Sequence, residues 1–177
     1  PADDTIIVYV SSGAGNDAWT GLCPEAPISG TCGPKQTIAA GYALLRNGNP
    51  DWLLLKRGNT WTNENFALWD KSGRSNTERM IVASYGGSTE RPLLKVGSSN
   101  GFASLSDANL VVSGLHFYAH TRDPNSAEYI PGSGGGEGLI CQYRCQNILL
   151  EDNLLDILQM ALHLNHQMQP VVQILDV

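Results

Sequence analysis

The sequence predicts an all-β chain whose short strands stack in parallel as a solenoid, one repeat upon the next. The first observation behind this is an internal repeat. The run from Asn109 to Tyr118 is echoed by Asn147 to Asp156: each opens with Asn, passes through three apolar residues, breaks at a small polar pair and resumes as a second short strand. A weaker copy starts at Val171, 24 residues after Asn147 (171 − 147). A unit of that length cannot bury its own apolar face and does so by stacking on its neighbours. The second observation is composition. Among 177 residues there are 19 Gly, and only 16 % are charged. Few charges and many turn formers suit short strands joined by tight corners, and the length suits one domain over 1–177. The third is spacing. Apolar runs at Trp52, Met80 and Leu110 recur at 28 and 30 residues (80 − 52, 110 − 80), one repeat plus a little loop.

The elements follow in order. Thr5 to Val10 is β-branched and aromatic and reads as a first strand, broken by the Gly- and Asn-rich stretch 11–17. Residues 18–34 form a loop holding Trp19, Cys23 and Cys32. The spacing of Ile38, Ala39, Tyr42 and Leu45 predicts a helix over 35–46, with Thr37 as its cap and Asn47-Gly48 as its stop. Residues 1–50 thus make an N-terminal cap, and 51–177 carry the repeats. Strands are expected at Asp51–Lys56, Met80–Ser84 and Pro92–Val96, with the polar stretch 61–78 read as loop. Trp19, Trp52, Trp61 and Trp69 are expected to cover or fill the core, and Arg57 and Lys71 to be solvated charges.

Charge and cysteine content bound the function. A net charge of −6 and a pI near 5.0 argue against a nucleic-acid partner. No apolar run reaches the roughly 20 residues of a membrane-spanning helix. The four Cys lie in two local pairs, Cys23 with Cys32 and Cys141 with Cys145. Local disulfides in an oxidising compartment are the favoured reading, beside cross-pairing, free thiols or a Cys₄ zinc site. The start at Pro1-Ala2-Asp3-Asp4 reads as a trimmed terminus, compatible with secretion.

Several segments carry a family resemblance. Tyr9-Val-Ser-Ser-Gly-Ala-Gly-Asn-Asp17, the helix start at Thr37-Ile38, Asp51 with its following Leu run, Ala83-Ser-Tyr-Gly86 and Arg91-Pro92 together resemble the N-terminal part of right-handed parallel β-helix proteins of the pectate-lyase-like superfamily. The resemblance implies a right-handed parallel β-helix of about five coils, capped by a strand and a short α-helix. It also implies polysaccharide as the substrate class and a secreted or cell-surface location, extracellular or periplasmic. That fold hosts lyases, hydrolases, adhesins and other activities, so it does not name a reaction.

The repeat places its asparagines. Asn109 and Asn147 match, and stacked Asn side chains can bond from one repeat to the next. Asn153 is read as a one-residue corner in the left-handed region, matched by Gly114 one repeat earlier. The offset from Asn109 to Asn147 is 38 (147 − 109) against 24 for the next copy, so 121–137 reads as a loop insertion of the kind that carries binding surfaces.

Strand alternation then orients candidate chemistry. Leu115, Phe117 and Ala119 should face the core, leaving His116, Tyr118 and His120 outside, with Leu154, Asp156 and Leu158 one repeat away at about 4.8 Å. Arg122 joins His116, Tyr118 and His120 as a weak catalytic candidate; Tyr118, Asp123, Tyr129, Glu137 and Asp156 are candidate sugar contacts. An eliminating lyase needs a base and a cation that neutralises the uronate. Calcium would draw on Asp123, Glu137, Glu151, Asp152 and Asp156. No opposed carboxylate pair for hydrolysis can be assigned. A transition-metal site from His116, His120 and His163 is weakened because i, i+4 residues on a strand lie roughly 13 Å apart; His163 and His166 form a second pair. Surface His and Tyr on a scaffold, without chemistry, remains open. Two functions compete: a polysaccharide-binding or lyase-like polysaccharide-degrading protein, and a non-catalytic fibre or adhesin module that assembles by stacking its ends. The chain stops inside a new repeat, so the C-terminal end is expected to be incomplete and to meet a further segment or another copy.

Overall fold

The computed structural model describes residues 1–158, 162–164 and 172–175. Among these residues fourteen short strands and one helix follow in the order β1 (Ile7–Val10), α1 (Ile38–Tyr42), β2 (Trp52–Lys56), β3 (Thr60–Thr62), β4 (Leu68–Trp69), β5 (Met80–Tyr85), β6 (Leu93–Lys95), β7 (Phe102–Ser104), β8 (Ala108–Ser113), β9 (His116–Tyr118), β10 (Leu139–Cys141), β11 (Gln146–Glu151), β12 (Leu154–Asp156), β13 (Leu162–Leu164) and β14 (Val172–Leu175).

These strands form three parallel sheets among the described residues. The first is β1-β2-β5-β8-β11-β14, the second β12-β9-β6-β3 and the third β13-β10-β7-β4. This corrects the expected fold. In place of the right-handed parallel β-helix of about five coils read from two strands per repeat, strand pairing defines three separate sheets of six, four and four strands with little helix. The third sheet went unread because β4 is two residues long and β7 and β10 are buried at all three positions, so none of them shows alternation. β3 and β4 were hidden in the stretch read as loop.

The pairing offsets are those of the repeat. Ile148 pairs with Leu110 and with Val172, at 38 and 24 residues (148 − 110, 172 − 148). In-register pairing lines up the buried row Val8, Leu53, Val82, Val112 and Leu150, each at most 4 % exposed. The second sheet turns Trp61, Leu94 and Phe117 inward in the same way. Trp69 and Phe102 of the third sheet meet each other and Phe66, and Phe66 in turn meets Phe117 of the second sheet, with ring centroids 5.1–6.3 Å apart. Burial of such side chains stabilises by about 1.5–3 kcal/mol each. Trp61 and Trp69 are therefore core residues, whereas Trp19 and Trp52 are half-buried.

The helix is shorter than its periodicity predicts. Lys35 at the expected start is bonded to β1, donating to Tyr9 O and accepting from Ser11 N, so it cannot join a helix. Thr37 caps α1 as expected, its hydroxyl accepting from Ala40 N. A side chain at Gly41 would place Cβ 2.5 Å from Val10, so glycine lets α1 lie directly on β1. Beyond the helix, Lys71 donates to the carbonyls of Tyr42 and Leu45 and lies over the Tyr42 ring. It is a structural cation and not the solvated charge expected. Arg57 is likewise engaged, donating to Ser88 O, Thr89 O and Ser84 Oγ.

Asp51 joins this N-terminal segment to β2. Its fully buried carboxylate accepts from Ile6 N, Arg46 N and the Arg46 guanidinium. Burial pushes its carboxyl up, but these donors outweigh it and hold the group below the usual carboxylate range. Each local cysteine pair is bonded, Cys23 to Cys32 and Cys141 to Cys145, and no cysteine is free.

The asparagines act as register pins. Asn109 and Asn147 both have left-handed backbones, φ 56° and 54°, and Asn147 Nδ2 donates to Asn109 Oδ1 at 2.7 Å. The corner assignment shifts by one residue: Asp152, φ 52°, is the left-handed match to Gly114, φ 71°. Asn153 is instead buried, accepting from Leu115 N and donating to Val112 O.

Two stability measurements test this account. Asp51→Ala is expected to cost about 3 kcal/mol by urea unfolding, because it strands the donors it satisfied. Asn147→Ala is expected to cost about 2 kcal/mol, and Asn147→Gly less, because glycine tolerates the left-handed backbone while losing the same side-chain bonds. Equal costs for the two would place the effect in the hydrogen bonds alone.

Candidate functional site

The outward face of the second sheet carries two side-chain rows set by its register. One runs Thr60, Leu93, His116 and Leu154; the other runs Thr62, Lys95, Tyr118 and Asp156. The first row floors a cleft of about 370 Å³, and Thr89, Glu90 and Arg91 wall it from the corner between β5 and β6. The floor mixes aliphatic surface with a hydroxyl and an imidazole, and the wall supplies a carboxylate and a guanidinium. That is the mixture of apolar contact and directed hydrogen bonding by which a small polar ligand is bound.

His116 sits where alternation put it, beside Asp156. Its Nε2 lies 3.8 Å from Asp156 Oδ2, beyond hydrogen-bond distance, and is shielded without a hydrogen-bond partner. Burial lowers the His116 pKa below its ordinary 6.5; Asp156 opposes this and Arg91 adds to it. The imidazole is therefore neutral at pH 7.

Tyr118 is the next residue outward. Its hydroxyl donates to Asp123 Oδ2 at 2.7 Å. That bond raises the phenol's pKa and holds the Asp123 carboxyl low. Lys95, on the same row, pairs with Glu128. The insertion 121–137 is thus tied down onto this face at two points, and Gly136 presses its far end against Ser99, where a Cβ would lie 1.8 Å from the Ser99 carbonyl oxygen.

His120 departs from the expectation. It is 2 % exposed, and its Nδ1 accepts from Gly97 N at 3.2 Å. Strand β9 ends at Tyr118, so alternation no longer governs residue 120. Arg122 donates its backbone N–H to Ala119 O, and its guanidinium NH1 is shielded without a hydrogen-bond partner. His116, Tyr118 and His120 form a row with successive ring centroids 6.2 Å apart. His163 belongs to β13 in the third sheet, so it does not share the sheet of His116. His166 lies outside the described residues.

The other candidate contacts disperse. Tyr129 is exposed at the tip of the insertion, and Glu137 donates its backbone N–H to Asn100 Oδ1 at the insertion's end. Among the described residues no group of three or more His, Cys, Asp or Glu is placed to hold a metal ion. Asp123, Glu137, Glu151, Asp152 and Asp156 do not form such a group. Thr60, Glu90, Arg91, Leu93 and Lys95 were missed by sequence reading. Their signal was present: carrying the repeat one step further back sets Leu93 and Lys95 opposite His116 and Tyr118.

The shielded imidazole has a measurable consequence. The His116 resonance is expected to titrate with a midpoint below 6.5. Because the folded pKa lies below the unfolded one, the folded state binds fewer protons, and stability is lost as pH falls from the unfolded value toward the folded one. His116→Gln is expected to flatten that part of the pH–stability curve. A wild-type midpoint at or above 6.5 would contradict this.

Comparison with known proteins speaks to the fold. No family model matches the chain, and no curated protein matches it. A crystal structure of the glycoside hydrolase family 136 lacto-N-biosidase from Eubacterium ramulus superposes with a TM-score of 0.59 at 17 % sequence identity, over 82 % of this chain. This chain spans 27 % of the length of that enzyme, and at that identity the two share a fold.

Proposed function

We propose that the chain recognises a carbohydrate in the cleft beside His116, and that it does so outside the cytoplasm. The observation that carries this is the cleft floor, a single in-register row in which Leu93 and Leu154 alternate with Thr60 and His116 under the Glu90 and Arg91 wall. Sugars present alternating C–H and hydroxyl surface, and such a floor matches both. The fold shared with a glycoside hydrolase supports the ligand class. The two disulfides support an oxidising compartment, and among the described residues no helix is long and apolar enough to cross a membrane.

Recognition is favoured over lyase chemistry. Elimination from a uronate needs an accessible base and a free cation. His116 is neutral, but its Nε2 is shielded, and the Tyr118 hydroxyl is given to Asp123.

Binding of oligosaccharides, measured by calorimetry across a broad panel, tests the proposal. Thr60→Val and Glu90→Ala remove exposed polar groups from the cleft, and each is expected to weaken binding about tenfold through loss of one hydrogen bond. Their thermal stability is expected to stay within about 0.5 kcal/mol of the parent. A panel with no bound glycan would overturn the reading and leave the non-catalytic scaffold module as the alternative.

A further inference from the structure

The charges around the cleft bear on which sugars fit it. Arg91 is the cation lining it among the described residues, and it is already engaged: Nε donates to the Asp152 carbonyl at 3.0 Å, and NH2 to the Asp152 carboxylate. Arg57, behind the same corner, spends its guanidinium on Ser88 O at 2.7 Å, Thr89 O at 3.0 Å and Ser84 Oγ at 3.1 Å. Lys95, one row over, pairs with Glu128.

Three carboxylates are committed as well: Asp152 faces Arg91, Glu128 faces Lys95 and Asp123 accepts from Tyr118. Asp156 lies 3.8 Å from His116, beyond hydrogen-bond distance. Glu90 stands at the wall as a further anion. Anions therefore outnumber cations on this face, on a chain of net charge −6.

We propose that the ligand of this cleft is an uncharged glycan, not a uronate; this rests on the carbohydrate reading above. A uronate carboxylate entering here would leave water for a cleft whose lining cation among the described residues, Arg91, is already paired, on a face with an excess of negative charge. It would have to displace Asp152 from Arg91 to gain a partner. An uncharged sugar needs no such exchange. Its hydroxyls meet Thr60, Thr89 and Glu90, and its C–H faces meet Leu93 and Leu154.

The test compares size-matched neutral and uronic oligosaccharides on the full chain by calorimetry, at low and moderate salt. Neutral oligomers are expected to bind at least roughly tenfold more tightly, with little salt dependence. The variant Asp152→Asn probes the cause. Asparagine tolerates the left-handed backbone at this position, φ 52°, and the substitution leaves the Arg91 Nε bond to the backbone carbonyl while removing the negative charge that faces NH2. Uronate affinity is expected to rise several-fold in this variant. Uronates binding as tightly as neutral oligomers to the parent chain would overturn the inference while leaving glycan recognition standing. Neutral preference without any gain of uronate affinity in Asp152→Asn would overturn the role given to the Arg91–Asp152 pair. Binding of neither class would overturn the carbohydrate reading and this inference with it.

Discussion

In-register parallel pairing sets each side chain about 4.8 Å from its counterpart on the next strand, and the rest of this structure depends on that constraint. It turns isolated residues into rows. Inward, Val8, Leu53, Val82, Val112 and Leu150 form one apolar row, and outward, Thr60, Leu93, His116 and Leu154 form another. A one-residue slip would turn every inward side chain outward. Short strands carry few ladder bonds to resist such a slip, so side chains supply the rest. Asn147 bonded to Asn109, and Asn153 bonded to the backbone at Leu115 and Val112, fix the offset of 38 residues by contacts that a slipped register cannot make.

Stacking leaves the first strand of each sheet with an unpaired edge and an open core behind it. The N-terminal segment answers this with both bulk and polar bonds: Ile38 and Leu45 are buried in the core, and Lys35 bonds the outer edge of β1. Asp51, buried beneath it, draws together Ile6, Arg46 and the start of β2, while Arg46 also reaches Asp4 O. The loop closed by Cys23 and Cys32 is held against the first sheet by Lys56 with Glu25 and by the Tyr85 hydroxyl with Pro24 O. A disulfide suits such a loop because the loop has little apolar area of its own to bury.

How much of this was legible follows from which signals survive in short elements. The repeat at Asn109 and Asn147 was readable because two six-residue strands and their corner align together, and its offsets are the pairing offsets. The third sheet was not, because Leu68-Trp69 is too short to alternate and β7 and β10 are buried at every position, and the resulting three-sheet architecture replaced the two-strand repeat. Alternation placed His116 and Tyr118 correctly and failed at His120, two residues beyond the end of β9. The cleft wall was invisible for a different reason. Glu90 and Arg91 belong to a corner, and a corner's position comes from strands that precede and follow it, not from its own residues.

The same register explains why an insertion can be carried without disturbing the core. The chain leaves the second sheet after Tyr118 and rejoins the third at Leu139, yet the pairing on either side is regular. The extra length is absorbed at one corner, where Tyr118 with Asp123 and Lys95 with Glu128 fold it back onto the outer face. Those anchors come from the row beside the cleft floor, so they spend on the scaffold the groups that would otherwise be free for an ionic ligand. Holding the loop and refusing charge are thus two consequences of one arrangement. What is left unspent at the cleft is a row of alternating aliphatic and hydrogen-bonding surface, and that surface is suited to a ligand bound through hydroxyls and C–H faces.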